Sequence, residues 1–539
     1  MTRRAERLLI VTPMSDTAQR HGVRVIRDPV HGDILLPKVA EAVVGSIEFQ
    51  RLRYIRQNGL LHFVFPGAVH TRFAHSLGTM ANAQAVWHRL TADLAERQTT
   101  KAFARARDYL GTIFELSALL HDVGHCAFSH SSEKVFVKKA PLFGTVRELF
   151  TQWTATPMLD ALLRDDPQRA EEQAKHEEIG LLLIERIFAS EERLKEPCQK
   201  LGVEPTAIGT DVVGLLHECP AGRTNQLDGS CAAFPPSNEF KEHARVFIRA
   251  LEGRWETKLT SPNPIQQLRN ILHDLVSGTL DVDRLDYLLR DALFCGVPYG
   301  RYDREILIGS LEIVPDAGRL YLTLDRKAAF ALDDLLWSRY QMFIQVYNHK
   351  TNIVMDYMLG HALEWAIDQR DVVRPQLPDQ YVAFTDDLVM GTVFSKCSSR
   401  GGALDTPFGK TLTRRSVPKR LGASVLKGID KKTRAAELER LRKEKAIELG
   451  RGVIAIPASS DLIKGQMPSL RVWEKGSSKP KLEAFANGSS ILQNKQFNAS
   501  HHMVHFFEDP GLQSASTQPP PAATTKTATK RRRVAKGSS

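Results

Sequence analysis

Apolar and polar positions change period several times along the chain, and each change marks an element. Val23 to Leu36 reads as two short strands around an Asp28-Pro29-Val30-His31-Gly32 turn. From Ala40 to about Gln57 the spacing turns helical, with Val43, Val44, Ile47, Leu52 and Ile55 interleaved with Arg51, Arg53 and Arg56. Pro66-Gly67 interrupts the chain, a helix follows from His70 to about Glu96, and another spans 103–121. Helical periodicity returns around 146–164, 172–195 and 265–293; a strand pair is predicted at 305–314 and 319–324, then helices at 327–350 and 351–369. These patterns predict a mainly α core over 23–394, preceded by a loose arm at 1–22. Beyond 395 a helix at 433–449 and alternating runs at 452–456 and 469–473 predict a small α+β region reaching 509. The Pro/Thr/Ala/Lys tail 510–539 holds too few apolar residues to bury a core and is expected to be disordered.

Hydrophobic residues make up 42% of the 539, enough for a sizeable core, and the length suits more than one domain. No apolar run approaches the ~18 residues that cross a bilayer. Leu8-Leu9-Ile10-Val11 is too short for a signal segment. Six scattered cysteines without a Cys-x-x-Cys pair argue against a zinc ribbon or a disulfide framework. A cytoplasmic protein without membrane spans is expected. The net charge of +11 is concentrated late in the chain: Lys396 to Arg451 carries sixteen Lys/Arg against six Asp/Glu, and 526–536 adds six more basic residues. Such an appendage could meet a polyanion, so nucleic acid is a candidate partner of 395–509 and of the basic tail.

The chemistry concentrates in His121-Asp122-Val123-Gly124-His125-Cys126-Ala127-Phe128-Ser129-His130, with Glu133 just beyond. Imidazoles and carboxylates at this density are the usual ligands of a divalent cation. His121 and His125 stand at i, i+4, but the zinc-protease pattern needs Glu where Asp122 stands, and Gly124 falls mid-motif, so that reading is rejected. His75 upstream and Asp283 downstream are candidate ligands from other helices. One His, a His-Asp doublet and a distant Asp would leave coordination positions for water and a phosphate oxygen, the requirement of metal-assisted hydrolysis. Asp283, Tyr287 and Asp291, at i, i+4 and i+8, share roughly one helix face.

His75, His121-Asp122 and Asp283 reproduce the His…His-Asp…Asp signature, so the chain resembles the HD-domain metal phosphohydrolases. Arg27–Gly32, Phe49–Ile55, His70–Gly78, His121–His130 and Asp281–Tyr287 narrow the resemblance to the deoxynucleoside triphosphate triphosphohydrolase branch, across about 23–370. That resemblance implies an HD helical bundle that attacks the α-phosphorus of a deoxynucleoside triphosphate, releasing deoxynucleoside and triphosphate. It implies metal ligation by His75, His121, Asp122 and Asp283, with Mg, Mn, Fe or Zn as the ion. It places His125, His130, Glu133 and His176 in proton transfer and phosphate contact. Arg72, Arg284 and Arg339 would meet phosphate, and Gln57, Tyr287, Asp291 and Tyr347 would form the nucleoside side of the pocket. A dimer or tetramer is implied as well. Gly45 stands where vertebrate members carry a guanine-reading carboxylate, so GTP activation of that kind is not implied. Two readings compete: an HD phosphohydrolase or nuclease acting on another nucleotide or nucleic acid, and a nucleic-acid-binding scaffold with an HD core.

Overall fold

The structure, a computed structural model, describes residues 23–132, 144–153, 155–217, 234–278, 280–368, 372–373 and 375–395. Further along it describes 407–412, 417–426, 431–449, 452–460, 470–473, 483–484 and 501–509. The expectations for 1–22, for Glu133 and for 510–539 concern residues outside these.

The fold is mainly α, as the periodicity predicts. β1 (Arg24–Asp28) and β2 (Gly32–Leu36) form an antiparallel hairpin. Asp28 Oδ1 accepts the amides of Val30 and His31 at 2.9 and 3.0 Å and so closes its turn. The longer helices, numbered in chain order, are α1 (Arg72–Arg97), α2 (Lys101–Leu120), α3 (His176–Ser190), α4 (Pro205–Leu216), α5 (Asn238–Trp255), α6 (Pro264–Ser277), α7 (Val282–Cys295), α8 (Ala329–Met342), α9 (Lys350–Asp368), α10 (Asp386–Ser395) and α11 (Lys431–Leu449). α1 packs against α2 and α7, α2 also against α4 and α5, and α3 against α4. One continuous apolar cluster runs through this bundle, including Leu77, Met80, Leu110, Phe114, Leu288 and Leu335.

The structure departs from the predicted elements at three places. The helix expected over 40–57 is split: Lys38–Val44 stops at Gly45, Ser46 caps Ile47–Gln50, and a 3₁₀ turn follows at Arg51–Tyr54. The helix expected over 265–293 is two helices. α6 ends at Gly278, and Asp281 restarts the chain as α7 by accepting the Arg284 amide at 2.7 Å. The helix expected over 327–350 ends in a π turn at Phe343–Tyr347 before α9 starts. Single π turns inside helices are frequent at functional sites.

The sheets tie the late chain to the bundle. β3 (Leu311–Asp316) and β4 (Arg319–Asp325) pair antiparallel, and β4 takes the late strand β7 (Leu470–Trp473) in parallel at its other edge, followed by β8 (Glu483–Ala484). β5 (Arg420–Leu426) and β6 (Val453–Ser460) flank β9 (His501–Glu508) in a second antiparallel sheet. No helix among the described residues is long and apolar enough to cross a membrane.

Candidate metal centre and its histidine cluster

Three helix ends meet at the site. His75 sits in the first turns of α1, Asp283 in the first turn of α7, and His121 caps the C-terminus of α2 with Asp122 in the turn beyond. Two of these ends are N-termini, whose unpaired amides and dipoles favour carboxylates and phosphates.

His75 Nε2 lies 3.0 Å from Asp283 Oδ1 and 3.4 Å from Asp122 Oδ2. His121 Nε2 lies 3.4 Å from Asp122 Oδ1 and 3.7 Å from Asp283 Oδ1. Nδ1 of His75 donates to Asp286 Oδ2 at 2.7 Å, and Nδ1 of His121 to the Ala118 carbonyl at 2.8 Å. Both imidazoles thus turn an Nε2 lone pair toward the carboxylates. Neither Nε2, although buried, makes a hydrogen bond of acceptable geometry. Two orphaned imidazole nitrogens converging with carboxylate oxygens are a donor set that fits a divalent ion, and His75, His121 and Asp283 form one metal-capable group. Burial opposes a charge on His75, but Asp283 and Asp286 outweigh it and hold its pKa up at about 10. His121 is raised in the same way: burial lowers it, and Asp122 and Asp283 prevail. An ion there would displace those protons.

Around the ligands stands a buried frame. Asp286 accepts from His75, from His31 Nε2 at 2.6 Å and from Arg290 Nε at 2.8 Å, while Arg290 Nη1 reaches Asp28 Oδ2 at 2.8 Å. Gly78 of α1 is what admits this frame. A Cβ there would lie 2.0 Å from Asp286 Oδ1 and 2.4 Å from Arg290 Nη2. Of these residues, Asp28, His31 and Asp286 lie inside the motifs that carry the family resemblance but have no role assigned from sequence, and Arg290 lies outside them; Asp286 also stands a single helical turn from Asp283.

Beside the centre lies a second cluster. His125 stacks on His176 with ring centres 3.8 Å apart, and His130 meets both rings edge-on at 4.6 and 5.4 Å. His125 is buried and His130 exposed. His125 Nε2 is 3.3 Å from Asp122 Oδ1, which joins the two clusters. Burial, then the neighbouring charges of Arg72 and His176, hold His125 well below the usual imidazole range, so it is neutral at pH 7. Burial raises Asp122, but the charges of Arg72 and His121, joined by the His125 hydrogen-bond contact, dominate and hold it well below the usual carboxylate range.

Arg72 is buried and already engaged: Nη1 donates to Asp122 Oδ2, Nε to Ser129 Oγ at 2.8 Å and Nη2 to the Gln57 carbonyl at 3.4 Å. Arg284 donates to the Gly278 carbonyl and lies 3.4 Å from Asp281. Arg339 is buried over the Phe343 ring, and its charge reaches Tyr287 and Asp281. Tyr347, in the π turn, donates its hydroxyl to Asp291 Oδ2 at 2.6 Å and meets the Tyr287 ring at 6.4 Å. His70 Nε2 donates to Asp291 Oδ1 at 2.6 Å. Gln57 is buried, and its Oε1 has no hydrogen-bond partner.

A family model for the HD associated region matches residues 302–451. The chain is 26% identical over 350 residues to an uncharacterized protein of Methanocaldococcus jannaschii, covering 65% of this chain and 51% of that one. It is 27% identical over 362 residues to the deoxynucleoside triphosphate triphosphohydrolase SAMHD1 of Gallus gallus, covering 67% and 48%. The chain is thus similar to HD-domain phosphohydrolases, both through its HD-associated region and through its curated relatives. It spans about half the length of these curated relatives. Its fold is similar to that of a phosphohydrolase from Bacteroides thetaiotaomicron, with a TM-score of 0.56 at 21% identity, covering 90% of this chain and all (100%) of that one. A hypothetical protein from Aquifex aeolicus shares the fold at a TM-score of 0.53 and 20% identity, over 90% of this chain and 96% of that one. His75, His121 and Asp283 thus meet in a metal-capable group on a fold shared with these structures.

Proposed function

We propose that this phosphohydrolase cleaves deoxynucleoside triphosphates at the α-phosphorus, releasing deoxynucleoside and triphosphate. The observation that carries the reading is the face of α7. Asp283 belongs to the metal-capable group, Tyr287 meets the Tyr347 ring, and Asp291 accepts the Tyr347 hydroxyl. One helix face therefore carries a metal-capable carboxylate, a tyrosine and a tyrosine-bound carboxylate in line, an order that suits the phosphates and then the sugar of a nucleotide. The name of the SAMHD1 relatives supports the same substrate.

In this reading His75, His121, Asp122 and Asp283 hold the ion. Bound there, a divalent cation supplies Lewis acidity for a phosphate oxygen and for the attacking water. Arg72, Arg284 and Arg339 offset phosphate charge, Arg72 by exchanging or sharing its contact with Asp122. His125, held neutral and stacked on His176, accepts or relays a proton, and exposed His130 delivers one to the leaving 5′ oxygen. Glu133 would serve His130 in that role. Tyr347 packs on the deoxyribose, with Gln57, Tyr287 and Asp291 around it. Assembly as a dimer or tetramer belongs to the same proposal.

Nucleic-acid binding through the basic region gains less support. On α11, Arg440 pairs with Glu437 and Glu444, Arg442 with Glu439, and Lys445 with Glu448, so much of its positive charge is met within the helix.

The test is a panel of the four dNTPs, the NTPs and single-stranded DNA with Mg²⁺ or Mn²⁺, with products resolved. Triphosphate is expected from dNTPs. Release of pyrophosphate or phosphate instead, or turnover of DNA alone, refutes the reading.

A further inference from the structure

The loop carrying His125 and His130 folds through a strained corner. Among the described residues four non-glycine residues have left-handed φ, and two of them are adjacent here: Phe128 at +61° and Ser129 at +54°. A buried phenylalanine gains nothing locally from that conformation. Surrounding contacts must impose it.

Those contacts come from a segment more than 250 residues later. Asp386, the first residue of α10, is 1% exposed. Its Oδ1 accepts the Phe128 amide at 2.6 Å, and its Oδ2 accepts the Arg56 amide at 3.1 Å. The Arg56 guanidinium stands 3.8 Å away. Just before α10, buried Tyr381 donates its hydroxyl to the Gly124 carbonyl, and Arg51 lies over the Tyr381 ring while donating to the His125 carbonyl at 2.8 Å. The pinned corner then acts on the site through Ser129. Its hydroxyl donates to the Arg56 carbonyl at 2.8 Å and accepts Arg72 Nε at 2.8 Å, while Arg72 holds Asp122.

We infer that Asp386 is a positioning residue: docked from the HD-associated region, it fixes the Phe128–Ser129 corner and thereby sets Arg72 and His130 in the site. Asp386 touches none of the reacting groups. It accepts the amides of Phe128 and Arg56 and so joins residue 128 to residue 56. The associated region is therefore part of the active-site scaffold and not only an appendage. The catalytic part of this inference rests on the hydrolase reading above; the brace itself does not.

The test uses the full chain with Asp386→Asn, which keeps one acceptor oxygen, and Asp386→Ala, which keeps none. On the best dNTP with Mn²⁺, kcat is expected to fall about tenfold or more for Asn and further for Ala, with KM within about threefold. Metal content by mass spectrometry is expected to match the wild type. Hydrogen exchange of amides 126–130 is expected to accelerate in both variants, with α1 and α2 unchanged. A kcat within about threefold of wild type in both variants, or a fall seen only together with metal loss, overturns the inference. Unchanged exchange at 126–130 overturns it as well. If the Ala variant does not fold, the Asn variant decides by the same readouts. A wild-type chain inactive on dNTPs defeats the substrate reading alone; the brace is then judged by hydrogen exchange and by hydrolysis of bis(p-nitrophenyl) phosphate.

Discussion

Asp286 accepts the Nδ1 proton of His75 at 2.7 Å and so leaves the opposite nitrogen, Nε2, aimed at Asp283. A carboxylate behind a ligating imidazole fixes its tautomer and raises its basicity, and loss of such a partner typically lowers metal affinity about 10–100-fold. Asp286→Asn is expected to weaken metal retention on dialysis by that range, read by mass spectrometry. Asp286→Ala strips a partner from the fully buried Arg290 as well, so about 3–5 kcal/mol of stability should go with it. Equal metal content in wild type and both variants contradicts the proposed ligand role of His75.

His121→Ala removes a ligand without disturbing the Asp286 frame. Activity and bound metal are expected to fall together, by about 10³-fold or more in kcat, with the fold retained by circular dichroism. Chelator treatment of the wild type should reproduce the loss, and readdition of Mn²⁺ should reverse it. Activity that survives both treatments excludes the metal centre from the chemistry.

The charge on His75 gives a pH dependence with a definite sign. Its folded pKa of about 10 exceeds the unfolded value of about 6.5, so the ion-free chain binds more protons folded than unfolded between those values. That contribution to stability is fully present below pH 6.5 and is lost as pH rises through about 10. Metal binding near pH 7.5 must expel a proton from His75, so calorimetry in buffers of different ionisation heat is expected to show release of about one proton or more. No net release would mean the imidazole is already neutral.

Gly124 sits against the backbone of α3. A Cβ there would stand 2.0 Å from the His176 carbonyl oxygen and 2.4 Å from the Gly180 nitrogen. Backbone cannot yield as a side chain does, so Gly124→Ala should cost about 3 kcal/mol or more and separate His125 from His176. Thermal melting and kcat should both drop. A melting temperature within about 1 °C of wild type, against the roughly 3 °C that about 3 kcal/mol shifts a chain this long, would show that α3 can shift freely.

Tyr347→Phe leaves Asp291 Oδ2 without its 2.6 Å donor but keeps the ring against Tyr287. If this is the sugar pocket, KM for dNTPs should rise about three- to tenfold, roughly one neutral hydrogen bond, with a smaller change in kcat. A selective fall in kcat at constant KM would place Tyr347 with the proton-transfer groups.

What could be read from the sequence was local or came through resemblance. Helical period placed α1 and α2 to within a few residues, and the Asp28–Gly32 turn announced the hairpin. His75, His121, Asp122 and Asp283 stood out as ligand types. The errors came where a break depends on capping. Gly278 and Asp281 divide what looked like one helix, and only the cap hydrogen bond shows that the second half restarts.

The sequence by itself determined the mainly α class, the charge asymmetry and the donor types of the metal-capable centre, because periodicity, charge and ligand chemistry are properties of residues and short spacings. Tertiary structure alone decided which nitrogen His75 presents, since that depends on Asp286 from another helix, whereas His121 is turned by the local Ala118 carbonyl of its own helix. It alone decided the His125–His176 stack, the Asp291–Tyr347 bond and the hold of Asp386 on Phe128. Those contacts join residues 51 to 258 positions apart, and no local pattern encodes a partner at that distance.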